Sequence, residues 1–197
     1  MAEGAAGMTT DSASPAVYDD GAARHLVTGM ELPDIALPSS RGETVNLYTR
    51  RGAAVVYVYP WTGRPRVADP PGWDEIPGAH GSTPETEGFR DYYLKFRAQR
   101  IEVFGLSSQS SEHHAELIAR LAVPFPLLSD AGFAFKQALG LPTFEAGGVT
   151  YLKRLTLFVR DGRIGHVFYP IERPTSHARE VLDWLDQMRR AIADPRG

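Results

Sequence analysis

Apolar residues recur along the chain in two rhythms. Ala53-Ala54-Val55-Val56-Tyr57-Val58-Tyr59 is an unbroken apolar run closed by Pro60. A run so short and uniform predicts a strand covered on both faces. Ile101 to Ser107 predicts a second strand and Leu152 to Val159 a third. An Arg160-Asp161-Gly162-Arg163 hairpin turn then leads into a returning strand over Ile164 to Tyr169. Nearer the start, Leu32 to Leu37 and Thr44 to Tyr48 flank an Arg41-Gly42-Glu43 turn and predict a small hairpin. Elsewhere the apolar spacing changes to three and four. Phe89, Tyr92, Tyr93 and Phe96 predict a helix over 84–98, with Thr83 as N-cap and Pro84 in the first turn, where a missing N–H costs nothing. Leu117, Ile118 and Leu121 predict a helix over 111–121, capped by Ser110 or Ser111. Phe133 to Leu139 predicts a short one ended by Gly140. Val181, Leu182, Leu185, Met188 and Ile192 predict a last one over 176–192, started by Thr175 or Ser176. Strands alternating with helices, with a hairpin near the end, predict an α/β fold: a central mixed sheet flanked by helices.

Two stretches carry neither rhythm. Residues 1–24 are small, polar and acidic and predict a flexible arm, leaving 25–197 as a single domain. The segment Trp61 to Pro77 is broken by Pro65, Pro70, Pro71, Gly63 and Gly72 and predicts a long loop. Trp61 and Trp73 argue that this loop is packed, because large rings seek burial. It leaves the carboxyl end of the 53–59 strand, which is where open α/β sheets take ligands. Tyr59, Trp61, Trp73 and Thr83 are therefore candidate substrate contacts.

Composition removes several classes of function. A hydrophobic fraction of 43% with 23% charged residues is ordinary for a globular protein. The net charge of −3, without a basic stripe, argues against a nucleic-acid partner. No apolar run approaches the roughly 18 residues that a membrane span needs. The first residues lack a basic segment followed by an apolar core, so no secretory signal is expected and the cytoplasm is the default location. With no cysteine, the chain has no disulfide, no thiolate metal site and no thiol redox chemistry. His113 and His114 are adjacent and do not share a helix face, and no carboxylate stands at ligand spacing to both. Neither a metal nor a cofactor is expected.

The segment Gly81-Ser82-Thr83-Pro84-Glu85-Thr86-Glu87-Gly88-Phe89-Arg90-Asp91 resembles the active-site segment of peroxiredoxins. It is most similar to the kind related to bacterioferritin comigratory protein, in the alkyl hydroperoxide reductase/thiol-specific antioxidant family. There the pattern is Gly-Cys-Thr-Pro-x-x-Cys-x-Phe-Arg-Asp; the first Cys attacks peroxide and the second resolves the sulfenic acid. Pro33-Asp34-Ile35-Ala36-Leu37, Tyr59-Pro60 and Pro124-Phe125-Pro126-Leu127-Leu128-Ser129-Asp130 also resemble family motifs, in the correct order. The resemblance spans roughly Gly29 to Leu185. It implies a thioredoxin-like fold of the peroxiredoxin type, with a dimerising surface and hence a homodimer. The positions of the two cysteines hold Ser82 and Glu87, and the family's Thr before the nucleophile is Ala79.

The resemblance further implies that Arg154 faces the site, where it would hold an oxyanion or pair with Glu85 or Glu87. Ser82 stands where the nucleophile would be, but a hydroxyl needs an adjacent base and cannot form a sulfenate. His80, two residues earlier, and Glu87 are the candidate proton carriers; Glu85 reads as an ordinary first-turn acid. Ser82, Glu87, His80 and Arg154 thus form the expected catalytic set. The leading expectation is a non-redox acid–base enzyme, of the dehydration, cyclisation or isomerisation type, acting on a small organic molecule in a biosynthetic setting. The alternatives are a catalytically silent binding or scaffold protein, and a thiol peroxidase seen as a Cys-free variant.

Overall fold

The computed structural model of the chain describes residues 15–193. Its elements run β1 (Ala36–Pro38), β2 (Thr44–Asn46), β3 (Ala53–Val58), α1 (Ser82–Ala98), β4 (Ile101–Ser107), α2 (Ser111–Leu121), β5 (Leu127–Ser129), α3 (Ala134–Leu139), β6 (Thr143–Ala146), β7 (Val149–Leu152), β8 (Leu155–Arg160), β9 (Arg163–Phe168) and α4 (Pro174–Ala193). Five strands form the central sheet in the order β5-β4-β3-β8-β9, with β3 and β4 parallel and β3 and β8 antiparallel. The expected mixed α/β architecture is present.

β3 lies at the middle of the sheet because both of its faces are apolar. Val55 and Tyr57 point to one side, where they pack with Phe89 and Phe96 of α1 and with Val181, Leu182 and Leu185 of α4. Val56 and Val58 point to the other, against Leu37, Val45, Phe135 and Leu139 from the β1–β2 hairpin and α3. Each side chain of this size contributes about 1.5–3 kcal/mol on full burial, which no exposed strand could match.

The segment after the first residues fastens both edges of the sheet. Gly29 N–H reaches Ile164 O at 2.7 Å and Leu32 N–H reaches Gly162 O at 2.9 Å, with a bridge from Glu31 to Arg163 on β9. A few residues later Ser39 bridges Leu128 on β5, and Ser40 N–H donates to Leu127 O at 2.8 Å.

Several expectations shift. The strand over Leu32–Leu37 shrinks to Ala36–Pro38, since Pro33 has no N–H and its carbonyl takes Ile35 N–H at 2.9 Å. The 152–159 strand is two strands. Thr143 to Leu152 closes its own hairpin through Gly147-Gly148, and the chain enters the central sheet only at Leu155. Lys153 and Arg154 occupy the break. α1 begins at Ser82, not after Thr83. Its N-cap is Gly81 at φ 101°, where a Cβ would lie 2.8 Å from Pro174. Of the expected arm, residues 1–14 lie outside the described residues. Residues 15–24 pack against the domain, with Ala23 buried in the core. Among the described residues no helix is long and apolar enough to cross a membrane.

Gly162 in the β8–β9 turn has φ 75°, and a Cβ there would collide with the Tyr48 carbonyl oxygen. Gly162→Ala is expected to cost more than about 2 kcal/mol, because backbone rather than a side chain must give way. A urea titration of the variant checks it; an unchanged midpoint would show that the turn relaxes freely.

Candidate active site

Ser82 and Glu85 are three residues apart on α1 and so lie on one side of the helix. Ser82 is only 3% exposed and Glu85 fully buried. Arg154, placed by the break between β7 and β8, enters from the sheet and meets both. Its Nη1 pairs with the Glu85 carboxylate. Its Nη2 donates to Ser82 Oγ at 3.1 Å and to His80 O at 2.9 Å, with Gly78 O farther away at 3.4 Å. Arg154 Nε and Glu85 Oε1 have no partner among the described residues. A fully buried carboxyl loses its hydration, and this pushes Glu85 up to about 7 although the Arg154 charge and hydrogen bond pull it down.

Beneath this cluster runs a buried hydroxyl chain. Tyr57 donates to Thr86 Oγ1 at 3.2 Å, and Thr86 donates back to Ser82 O at 2.9 Å. The Ser82 hydroxyl accepts from Arg154 and gives its own proton to no group among the described residues. Its hydrogen is thus unengaged, although the residue is closed off from solvent.

A cavity of about 240 Å³ reaches Arg154 and Lys153 from outside. Val17, Ile76, Gly78 and Ile171 also border a wider depression that extends to His80 and Gly81, just ahead of α1.

The structure moves the carboxylate at the site from Glu87 to Glu85. Glu87 is part-exposed, with its carboxylate 3.9 Å from Arg90, and it is not among the partners of Arg154. His80 contributes its backbone carbonyl, while its ring turns outward to Asp74 at 2.7 Å and Asp69 at 3.9 Å. Asp69, Asp74 and His80 bring one ligand-type atom each within 4.8 Å of one another. The two carboxylates face different ring nitrogens, an arrangement that suits a hydrogen-bonded bridge better than convergent ligands. Thr83 is half-buried in the first turn of α1. Tyr59 is fully buried under the site, where burial raises its phenol well above the usual range. The 61–77 loop forms part of the wall, but not through the two tryptophans expected to touch substrate. Trp73 is buried against Trp61, Phe144 and Tyr151, and its neighbours Ile76, Pro77 and Gly78 line the cavity. His113 bonds Thr62 and Gln109, and His114 bonds Ser107 at 2.8 Å; neither ring meets a carboxylate at bonding distance among the described residues.

Comparison with known proteins adds to this geometry. A family model described as redoxin matches residues 27–182. The chain is 30% identical over 165 residues to chloroplastic peroxiredoxin Q of Sedum lineare, spanning 83% of this chain and 80% of that protein. With chloroplastic peroxiredoxin Q of Oryza sativa subsp. japonica it shares 28% over 161 residues, 81% of this chain and 67% of the other. Among solved structures, a cysteine-to-serine mutant of Xanthomonas campestris peroxiredoxin Q matches at TM-score 0.66 and 23% identity, covering 82% of this chain and 98% of that one. Peroxidoxin BcpB from Mycobacterium tuberculosis matches at TM-score 0.66 and 24% identity, covering 83% and 98%. These structures support the fold.

Proposed function

Because the chain belongs to the redoxin family yet has no cysteine with which to reduce a peroxide, we propose that its site performs non-redox acid–base chemistry on a small organic molecule. Dehydration, cyclisation and isomerisation each need one proton carrier and one donor to an oxygen, and the site holds both types of group. The observation that carries the reading is Glu85: a buried carboxyl, raised to about 7, joined through Arg154 to the Ser82 hydroxyl. A carboxyl tuned to that range exchanges protons near neutral pH, whereas an ordinary one stays ionised.

In this reading the substrate lies in the cavity beside Arg154. The guanidinium orients its oxygen and disperses charge that develops there. The Ser82 hydroxyl, already held as an acceptor by Arg154, donates its proton to that oxygen, and Glu85 exchanges a proton when the small movement of substrate binding opens the cluster. Support for a competing reading, a silent binding protein, comes from the same burial: Ser82 and Glu85 are closed off as the site stands. For location and assembly the proposal keeps the cytoplasm and a homodimer, the latter checked by sedimentation.

The test is proton exchange in heavy water, read by NMR, on short keto and hydroxy acids. Wild type is expected to introduce deuterium next to the carbonyl or to release water. Glu85→Gln should slow this by about a hundredfold or more, with a melting temperature that stays measurable and cooperative. No exchange on any of these acids, or full exchange by Glu85→Gln, would remove the acid–base reading and leave the binding protein.

A further inference from the structure

We propose that the cavity beside Arg154 takes a small, mainly apolar molecule through a single carboxylate, and that the seat for this carboxylate, formed by Lys153 and Tyr169, is filled by Asp20 of the chain's own N-terminal segment. The inference rests on the reading of this cavity as the substrate site and names the substrate's chemical class.

The seat is visible in how Asp20 is held. One of its oxygens pairs with Lys153 Nζ; the other accepts the Tyr169 hydroxyl at 2.5 Å and Ala22 N–H at 3.0 Å. The hydrogen bonds from Lys153 and Tyr169 hold its carboxyl well below the usual range, as expected of a site built for an anion. Lys153 and Tyr169 come from different elements, the β7–β8 break and the residue after β9, and they converge on the cavity wall. The rest of that wall is apolar: Val17, Ile76, Pro77, Phe144, Pro170 and Ile171. At about 240 Å³ the space is below the range of about 300–1,000 Å³ usual for drug-sized ligands. It suits one ring or a short chain.

Charge selects the class. Lys153 is balanced by Asp20. A ligand carboxylate that displaces Asp20 keeps Lys153 balanced, whereas a neutral ligand in the same place leaves it without a counter-charge. The displacement exchanges one carboxylate for another on the same donors, so the bonds from Lys153 and Tyr169 that Asp20 gives up are remade by the ligand. Asp20 and its neighbours Val17 and Tyr18 belong to one short segment, and Tyr18 is 70% exposed despite its size. The Asp20 side chain is what the ligand displaces, while Val17 stays in the wall. Arg154 lines the same cavity, so a carboxylate in the seat places the rest of the molecule beside the guanidinium that bonds Ser82 and Glu85 on its far side.

The experiment compares phenylacetate with phenylacetamide by calorimetric titration of the full chain. A tethered carboxylate competes at an effective concentration of the order of millimolar. Asp20→Ala should therefore bind phenylacetate at least about tenfold more tightly than wild type, with phenylacetamide unchanged. Adding Lys153→Met to Asp20→Ala should abolish the gain. If Asp20→Ala folds poorly, Asp20→Asn gives the same comparison with the hydrogen-bonded turn retained. Equal affinity of wild type and both Asp20 variants for phenylacetate overturns the proposal, as does a matching gain for the amide. These outcomes are read from binding alone. A protein that gains carboxylate affinity but exchanges no protons keeps the seat and loses the acid–base reading; exchange without carboxylate preference does the reverse.

Discussion

Ser82→Cys is expected to turn a protein inert towards hydrogen peroxide into one that consumes a single equivalent. In the wild type no thiol exists, so catalytic turnover of hydroperoxides with dithiothreitol as donor should not exceed the protein-free rate. A sulfur at Ser82 would lie where Arg154 Nη2 already reaches Oγ at 3.1 Å, in the first turn of α1. The guanidinium and the helix N-terminus both favour a thiolate. That thiolate attacks one peroxide oxygen, the O–O bond breaks, and the departing hydroxide takes a proton to leave as water; sulfur is oxidised by two electrons and the peroxide reduced. With dithiothreitol left out, no second thiol resolves the product, since Glu87 stands five residues on. The sulfenic acid should accumulate, visible as a gain of one oxygen by mass and as a dimedone adduct. Coupling Ser82→Cys with Arg154→Met should slow the reaction by about a hundredfold or more, the usual cost of one lost donor to a developing charge. A Ser82→Cys variant as unreactive as wild type would mean that Glu85 keeps Arg154 to itself.

Stability should fall steeply on the acid side, by at least about one proton per molecule. His114 is fully buried, with Nε2 on Ser107 Oγ at 2.8 Å, and burial pushes it down to about 3. His177, bonded to Thr156 Oγ1 at 2.9 Å, is pushed by burial down to about 4 although Glu180 opposes this. Both rings stay neutral in the fold while the unfolded chain takes up protons below about pH 6.5. Their contribution is therefore present above that pH and lost as pH falls, by about 1.4 kcal/mol per pH unit for each ring. Glu85 acts in the opposite direction. Its folded value of about 7 exceeds the ordinary 4.5, so the fold holds a proton that the unfolded chain releases, and stability rises as pH falls through that window. One of the two histidine contributions is offset, so these three groups leave a net loss of about 1.4 kcal/mol per unit between roughly pH 6.5 and 4.5, to which His113 and His166, also lowered by burial, add in the same direction. Glu85→Gln removes the offset and should steepen the slope by about one further proton, roughly 1.4 kcal/mol per pH unit. Urea midpoints of both proteins across this range decide it; parallel profiles would mean that Glu85 titrates normally in the fold.

How far the sequence could lead depended on the range of the interaction. β3 follows from an apolar run, and the cap of α2 from a local signal: Ser110 Oγ takes His113 N–H at 3.3 Å. The β6–β7 hairpin carried its signal in Gly147-Gly148, a turn pair between strand-forming residues, which the single strand expected over 152–159 left unused. Preferring Glu87 to Glu85 weighed the family position above helical phase. At 3.6 residues per turn Glu85 lies about 60° from Ser82 around the helix and Glu87 about 140°, so only Glu85 could share its face. Arg154 was found through the resemblance, since no local pattern marks it. Asp20 left no trace, because its partners Lys153 and Tyr169 are 133 and 149 residues away.

The strip of chain from Gly29 to Ser40 fastens β9 at one end and β5 at the other. Those are the two borders of the sheet, the places where unpaired backbone groups would recruit a strand from another molecule. A dozen residues near one terminus thus shield both borders against self-association. A proteolytic cut or deletion within this strip would expose two templates together, and the same molecule could then be extended from either side. Aggregation of such a shortened chain would propagate in two directions from its first contact.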